Sequence, residues 1–225
     1  MTYLRVISIF LRCRLRHPAS IFALLFTPCL FAVMSHFFPE QTVFYAYPAI
    51  ALSIWGTFLI PQNIIALRED GVFDRLRITT LRSRTIISAL LIVDLLVLLC
   101  SIVGTLALGW FVFNAPPQGA LPPIIGGVLL ALLAFQSLGI LLSSIFPNNK
   151  TANIAGNLLM IVLMLTSGVI TLPKQYAQYS PTWQTTSMLT GLWEGAALQE
   201  VAVSFYILLA IAITAAALAF KKFRW

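Results

Sequence analysis

The sequence predicts an all-α polytopic membrane protein with six transmembrane helices and both ends in the cytoplasm. Hydrophobic residues make up 60% of the 225 residues and charged residues 9%, whereas a soluble domain carries roughly a quarter charged residues. The apolar residues are grouped in segments of about 20, the length at which a helix crosses a bilayer. The basic residues are concentrated in alternate connections between these segments.

Six segments have the length and hydropathy of a membrane span. Their continuous apolar runs lack the alternating pattern of a membrane β-barrel, so we interpret them as helices. The second, third and fourth exceed the length that one crossing requires, and we expect them to tilt or to extend into the cytoplasm. The predicted spans cover residues 19–38, 44–67, 85–113, 121–146, 151–170 and 201–220.

The positive charges orient these spans. One side of the alternation holds every lysine and arginine except Lys174, and cytoplasmic connections are the ones enriched in these residues. Five or seven spans would distribute the later basic connections over both sides, so the pattern favours six. The basic residues on the cytoplasmic side are Arg5, Arg12, Arg14, Arg16, Arg68, Arg75, Arg77, Arg82, Arg84, Lys150, Lys221, Lys222 and Arg224.

The net charge of +7 raises nucleic acid as a possible partner. Positive charge held at the cytoplasmic face of a plasma or inner membrane explains the same excess, so no nucleic-acid partner is expected. Cys13, Cys29 and Cys100 have no metal-ligand spacing. No metal or cofactor is therefore expected in this chain.

Residues 1–18 are predicted to form an amphipathic interfacial helix. Apolar residues recur at helical spacing between arginines, a pattern typical of helices that lie on a membrane surface and bind lipid. The alternative is a basic tail that only sets topology. The flanking basic residues are Arg5, Arg12, Arg14 and Arg16.

The external segment 171–200 contains Pro173 and Pro181 together with several tyrosines and tryptophans. It is too apolar for a soluble domain and too interrupted to span. Aromatic rings of this kind favour the membrane interface. We therefore expect external re-entrant helices between spans five and six.

The cytoplasmic loop 68–83 mixes charge with apolar residues. It contains three of the seven acidic residues, Glu69, Asp70 and Asp74, which a loop that only sets topology does not need. This composition favours a short amphipathic helix that packs on a partner protein. The alternative, packing on the inner leaflet, is disfavoured because anionic lipid repels these acids.

Polar residues inside the spans are candidates for a substrate path. Such groups face protein or a water-filled path, and interhelical hydrogen bonding is the alternative. Pro61 predicts a kink, and Ala152 with Gly156 permits close helix approach. Asp94 lies alone in span three, so we favour a polar contact for it over a proton relay. The path candidates are Gln62, Asn63, Asn153, Asn157 and Ser167.

At loop 68–83 the sequence resembles the permease subunits of type 2 ABC exporters, the ABC-2 permeases. In that family the loop carries an acidic-basic cluster, then Gly-Thr-Leu-Glu, Leu and Thr-Pro. Val72-Phe73 stands here in place of Thr-Leu, and Thr80 in place of the proline. The residues that carry the resemblance are, in chain order, Arg68, Glu69, Asp70, Gly71, Asp74, Leu76 and Thr79.

The resemblance extends over nearly the whole chain. Arg14–Pro18 is similar to the family's basic segment before span one. Tyr47-Pro48 lies where the family often has Pro-Gly. Asn157, Ser167-Gly168 and Pro173 resemble the fifth span and the segment that leaves it.

The resemblance implies two permease chains, identical or different, above two ATPase subunits, with loop 68–83 as a coupling helix. The chain has no GxxxxGK[ST] phosphate loop, so ATP and Mg²⁺ are expected on the partner ATPase and the chain itself is not an enzyme. The implied ATPase-coupling residues are Arg68, Glu69, Asp70, Gly71, Asp74, Arg75, Leu76, Arg77 and Thr79.

The substrate expected from the apolar and neutral path candidates is hydrophobic or amphipathic, such as a drug, an antimicrobial or a lipid-like molecule. The alternative within the family is export of a lipid-linked glycan. A secondary transporter or channel requires intramembrane ion ligands or repeats, for which Asp94 is the one candidate. A membrane-embedded enzyme requires a nucleophile-base pair or a metal set, and neither is evident.

Overall fold

The computed structural model describes residues 3–16, 18–37, 46–73, 83–112, 114–168 and 177–222. The fold is all-α, 87% helical, with no strand among these residues. Numbered along the chain, the helices are α1 Tyr3–Arg16, α2 Pro18–Phe37, α3 Ala46–Glu69, α4 Ser83–Phe111, α5 Leu121–Ile145, α6 Asn149–Leu165, α7 Pro181–Trp193 and α8 Leu198–Lys222.

Four of the described helices are long and apolar enough to cross a membrane. They are α3, the Ser88–Phe111 part of α4, α5 and α8. The predicted first and fifth spans correspond to α2, of 20 residues, and α6, of 17 residues. The predicted all-α class is confirmed, while the count of six spans stays a prediction.

Helix α5 is central to the bundle. It packs along α8 and also contacts α3 and α7. Its inward face alternates small and large residues, with Ala131, Ala134 and Phe135 fully buried. Small residues let neighbouring helices approach closely, which is how apolar helices gain packing contacts when lipid removes the hydrophobic driving force.

Helix α3 contains a π-helical turn at Trp55–Leu59, in which the Ile60 N–H donates to the Trp55 carbonyl. Pro61 follows directly and has no N–H to offer the Thr57 carbonyl four residues earlier. The irregularity therefore lies in the turn before the proline, where the sequence predicted a kink.

Three glycines surround this π turn. A Cβ atom on Gly56 would lie 2.7 Å from the Phe135 carbonyl oxygen, and one on Gly156 2.7 Å from the Thr57 oxygen. A Cβ on Gly139 would lie 2.8 Å from the Gly56 oxygen. Helices α3, α5 and α6 therefore meet backbone to backbone at this level, which we name the glycine junction (Gly56, Gly139 and Gly156).

Helix α1 packs on α2 and α4. The Tyr3 hydroxyl donates to Ser88 Oγ at 2.8 Å. Val6 is buried, while Arg5, Arg12 and Arg16 are exposed. The predicted N-terminal helix is thus present and lies beside the first turns of α4, and its position on a membrane surface stays a prediction.

Helix α7 is inserted into the bundle at the opposite end from the α5–α6 connection. Its hydroxyl-bearing residues Thr182 and Thr186 donate to the carbonyls of Leu163 and Ser167 at the end of α6. Its last residue, Trp193, accepts from the Gln118 amide and donates through Nε1 to the Ala115 carbonyl. A helix exists where the sequence predicted one, and its depth in a membrane stays a prediction.

Candidate functional site

The candidate site lies where α3 and α5 end and α6 begins, and we name this the basic end because Arg68 and Lys150 flank it. Helix α3 ends at Glu69, and Asp70 closes it by donating its N–H to the Ala66 carbonyl. Gly71 follows with φ of 65° and donates to the Arg68 carbonyl at 3.1 Å. This left-handed residue after a helix is the position that glycine favours, and it turns the chain into the predicted coupling loop.

Arg68 supplies a donor that the end of α5 lacks. In a continuing α-helix the Ser143 carbonyl would accept from the amide of residue 147, but residue 147 is a proline with no N–H. The half-buried Arg68 donates instead, from Nη2 to the Ser143 oxygen at 3.3 Å. A cation at the C-terminal end of a helix also interacts favourably with the helix dipole.

Glu69 supplies an acceptor that the start of α6 lacks. The first amides of a helix have no partner within the helix. The Asn148 side chain accepts from the Thr151 amide at 2.9 Å, and Glu69 Oε1 accepts from the Asn149 amide at 2.9 Å. A carboxylate at a helix N-terminus is stabilised by the helix dipole as well.

Two consecutive residues of α3 thus bind both sides of the α5–α6 connection. We name this pair of contacts the α3 clasp (Arg68 to Ser143, Glu69 to Asn149). Glu69 and the next residue, Asp70, are both exposed, whereas Arg68 is half-buried. From the sequence we expected Arg68, Glu69 and Asp70 to contact a partner protein. In the structure the side chains of Arg68 and Glu69 form hydrogen bonds with the α5–α6 connection of the same chain.

The remainder of the predicted coupling loop is described only in part. Phe73 is buried, and Val72 is half-buried beside it. The rest of the loop's predicted residues, Asp74, Arg75, Leu76, Arg77 and Thr79, lie outside the described residues, so their coupling role stays a prediction.

The amides of the predicted path lie on α3 and α6. The side-chain nitrogens of Gln62 and Asn63 are buried without a hydrogen-bond partner among the described residues. Asn157 Nδ2 donates to Asn153 Oδ1 at 2.9 Å on an exposed part of α6. Buried amide groups without partners are costly, and the place of these four residues in a substrate path stays a prediction.

Ser167 lies away from the other path candidates. It is ten residues after Asn157, roughly 15 Å along the chain at the rise of a helix. Its side chain is fully buried, and its hydroxyl donates to the Met164 carbonyl at 2.7 Å. Ser167 thus belongs to the joint between α6 and α7, and its place in a path stays a prediction.

Sequence reasoning missed the residues that meet α3 across the bundle. Pro147 after a long apolar segment and Asn148 before the next one are local signals of a helix end and a helix start. Nothing local indicates that Arg68 and Glu69 complete those two ends. Among the described residues, no group of three His, Cys, Asp or Glu side chains could hold a metal ion.

Comparison with known proteins now identifies the family. The model of the ABC-2 type transporter family matches residues 4–196, which cover α2 to α7 entirely and all of α1 except Tyr3. A search of curated proteins finds no match. Because the family match covers most of the sequence, the chain belongs to the ABC-2 type transporters and is a membrane permease of that family.

Proposed function

We propose that the chain is one membrane-spanning subunit of an ATP-driven exporter. The observation that carries this proposal is the family match over residues 4–196. Two chains, identical or different, pair in the membrane and bind two ATPase subunits that carry ATP and Mg²⁺. The loop that follows α3 contacts the ATPase through Arg75, Arg77 and the neighbouring coupling residues.

The exported molecule in this proposal is hydrophobic or amphipathic. Support comes from the chemistry of the path candidates, which are neutral amides among apolar residues. Gln62 and Asn63 on α3 contribute neutral amides whose nitrogens are buried without a hydrogen-bond partner among the described residues. Asn153 and Asn157 on α6 add amides within a largely exposed apolar surface. Within α3 and α6 as described, the charged residues are Arg68, Glu69 and Lys150 at the basic end, so the path candidates themselves favour a substrate that is not strongly ionic.

The proposed arrangement in the membrane has six spans, with α2 and α6 as the first and fifth. The basic end faces the cytoplasm of a plasma or inner membrane, because the basic residues of the alternate connections belong on that side. Arg5, Arg12 and Arg16 on α1 are exposed and available to lipid headgroups on the same side. Helix α7 then lies at the external end.

The proposed partner can be tested by charge reversal in the loop. A tagged chain expressed from its native operon is expected to co-purify with an ATPase, and Asp74→Arg to lose most of it, because a reversed charge at a protein interface costs several kcal/mol. Glu194→Arg is the matched control, since Glu194 is exposed at the opposite end of the bundle. Quantitative mass spectrometry of the purified complex measures the ratio. A wild-type chain without ATPase, or equal ratios in both variants, contradicts the proposal.

The proposed orientation can be tested with single cysteines. After Cys13, Cys29 and Cys100 are replaced, a cysteine at Gln178 is expected to react with a membrane-impermeant maleimide added to intact cells. A cysteine at Arg75 is expected to react only after the membrane is permeabilised. The reverse labelling pattern would show that the basic end faces outward.

A further inference from the structure

We propose that Arg68 and Glu69 act as positioning residues that transmit movement of the coupling loop to α6. In this proposal the α3 clasp makes the end of α3 and the α5–α6 connection one moving unit. It rests on the proposed function, because the ATPase supplies the movement. Arg68 and Glu69, the first two of the ATPase-coupling residues expected from the sequence, would then act through a contact within the chain.

The bonds of the clasp go to backbone atoms. Arg68 binds the Ser143 carbonyl and Glu69 binds the Asn149 amide, at 3.3 and 2.9 Å. On the side of the α5–α6 connection each bond ends on the backbone, so a force carried by the Arg68 or Glu69 side chain acts directly on a helix end. Both also satisfy groups that have no partner in their own helix, because of Pro147 on one side and the helix start on the other.

The glycine junction provides a second connection between the same three helices. It lies at the π turn, so the segment Ile60–Glu69 of α3 is held to α5 and α6 at both of its ends. A π turn is a place where a helix bends. The part of α3 beyond the turn can therefore change direction together with α6, and α6 carries Asn153 and Asn157.

Alanine and glutamine at Glu69 separate the proposed contact from a general effect of charge. Glu69→Ala removes the acceptor of the Asn149 amide, Glu69→Gln keeps an oxygen there without charge, and Glu194→Ala removes an exposed carboxylate at the opposite end of the bundle. All three are reconstituted in sealed proteoliposomes with the co-expressed ATPase. Amide hydrogen exchange at Asn149 and transport of a fluorescent amphipathic dye per ATP hydrolysed are measured on the same preparations.

In Glu69→Ala, exchange at Asn149 is expected to accelerate by about fivefold, the ratio that corresponds to a helix cap worth about 1 kcal/mol. Transport per ATP is expected to fall by about tenfold while the ATPase remains bound. Glu69→Gln recovers part of both, and Glu194→Ala matches the wild type. This pattern supports transmission through the clasp.

If amide exchange at Asn149 is unchanged in Glu69→Ala, the bond from Asn149 to Glu69 is not present and the α3 clasp is overturned. If exchange changes but transport per ATP does not, the clasp exists and its role in transmitting movement is overturned. If Glu69→Ala does not fold, Glu69→Gln decides: transport per ATP below that of Glu194→Ala supports the proposal, and equality overturns it. A wild-type preparation that retains no ATPase overturns the proposed function. In that case the comparison of amide exchange at Asn149 between the wild type and Glu69→Ala still shows whether the α3 clasp exists.

Discussion

Replacing Gly139 with valine is expected to destabilise the protein by about 3 kcal/mol, through overpacking at the glycine junction. A Cβ atom there would lie 2.8 Å from the Gly56 carbonyl oxygen and 2.8 Å from both Cβ and Cγ2 of Ile60. The first is backbone and the second a β-branched side chain, and neither can rotate away. For a chain of this size we expect the midpoint of thermal unfolding to fall by roughly 6–12 °C.

Gly126→Val is the matched control, because it makes the same substitution in the same helix. A Cβ at Gly126 has no atom within 4 Å. Its unfolding midpoint in detergent is therefore expected to stay within experimental scatter of the wild type. Equal midpoints for Gly139→Val and Gly126→Val would show that α3 and α5 do not meet backbone to backbone.

Replacing Gly71 with proline is expected to abolish transport while the chain still inserts in the membrane. Gly71 has φ of 65°, whereas the proline ring holds φ near −65°. Proline also removes the N–H that donates to the Arg68 carbonyl at 3.1 Å. The chain would then leave α3 in another direction, and the coupling loop would no longer meet its partner. Transport and substrate-stimulated ATP hydrolysis in proteoliposomes measure the loss, which we expect to exceed about tenfold.

Gly71→Asn is the control that tests whether the loss in Gly71→Pro comes from the changed backbone conformation or from the loss of glycine itself. Asparagine tolerates the left-handed region and keeps its N–H. Its side chain also has room, since no atom lies within 4 Å of a Cβ at this position. Near-normal transport is expected in Gly71→Asn. Full transport activity in Gly71→Pro would show that the loop after α3 does not couple the chain to the ATPase.

Much of the secondary structure could be predicted because hydropathy and helix signals are local. A helix in a bilayer satisfies its own backbone hydrogen bonds, so a long apolar run between polar connections is sufficient to predict one. The turn after α3 is also local, since Glu69-Asp70-Gly71 combines a helix end with a glycine. Pro61 indicated an irregularity in α3, but the hydrogen-bond register of the π turn depends on the packing around Gly56.

The partners of Arg68 and Glu69 could not be predicted from the pattern that surrounds them. They are 75 and 80 residues away along the chain. The mixed charge of the loop favoured a separate protein as the partner of all its charged residues. The structure shows that the first two of them bind the ends of α5 and α6.

The sequence by itself determined that the chain is helical, that it belongs in a membrane, and which helix ends have backbone groups to satisfy. Pro147 leaves the Ser143 carbonyl without its donor, and Asn149 begins a helix with a free amide, whatever the rest of the chain does. Only the tertiary structure decided that α3 satisfies both, and that Gly56, Gly139 and Gly156 meet at one level. The physical reason is that an unpaired group is a local property of the backbone, whereas its partner is whichever side chain the packed helices place within hydrogen-bond distance.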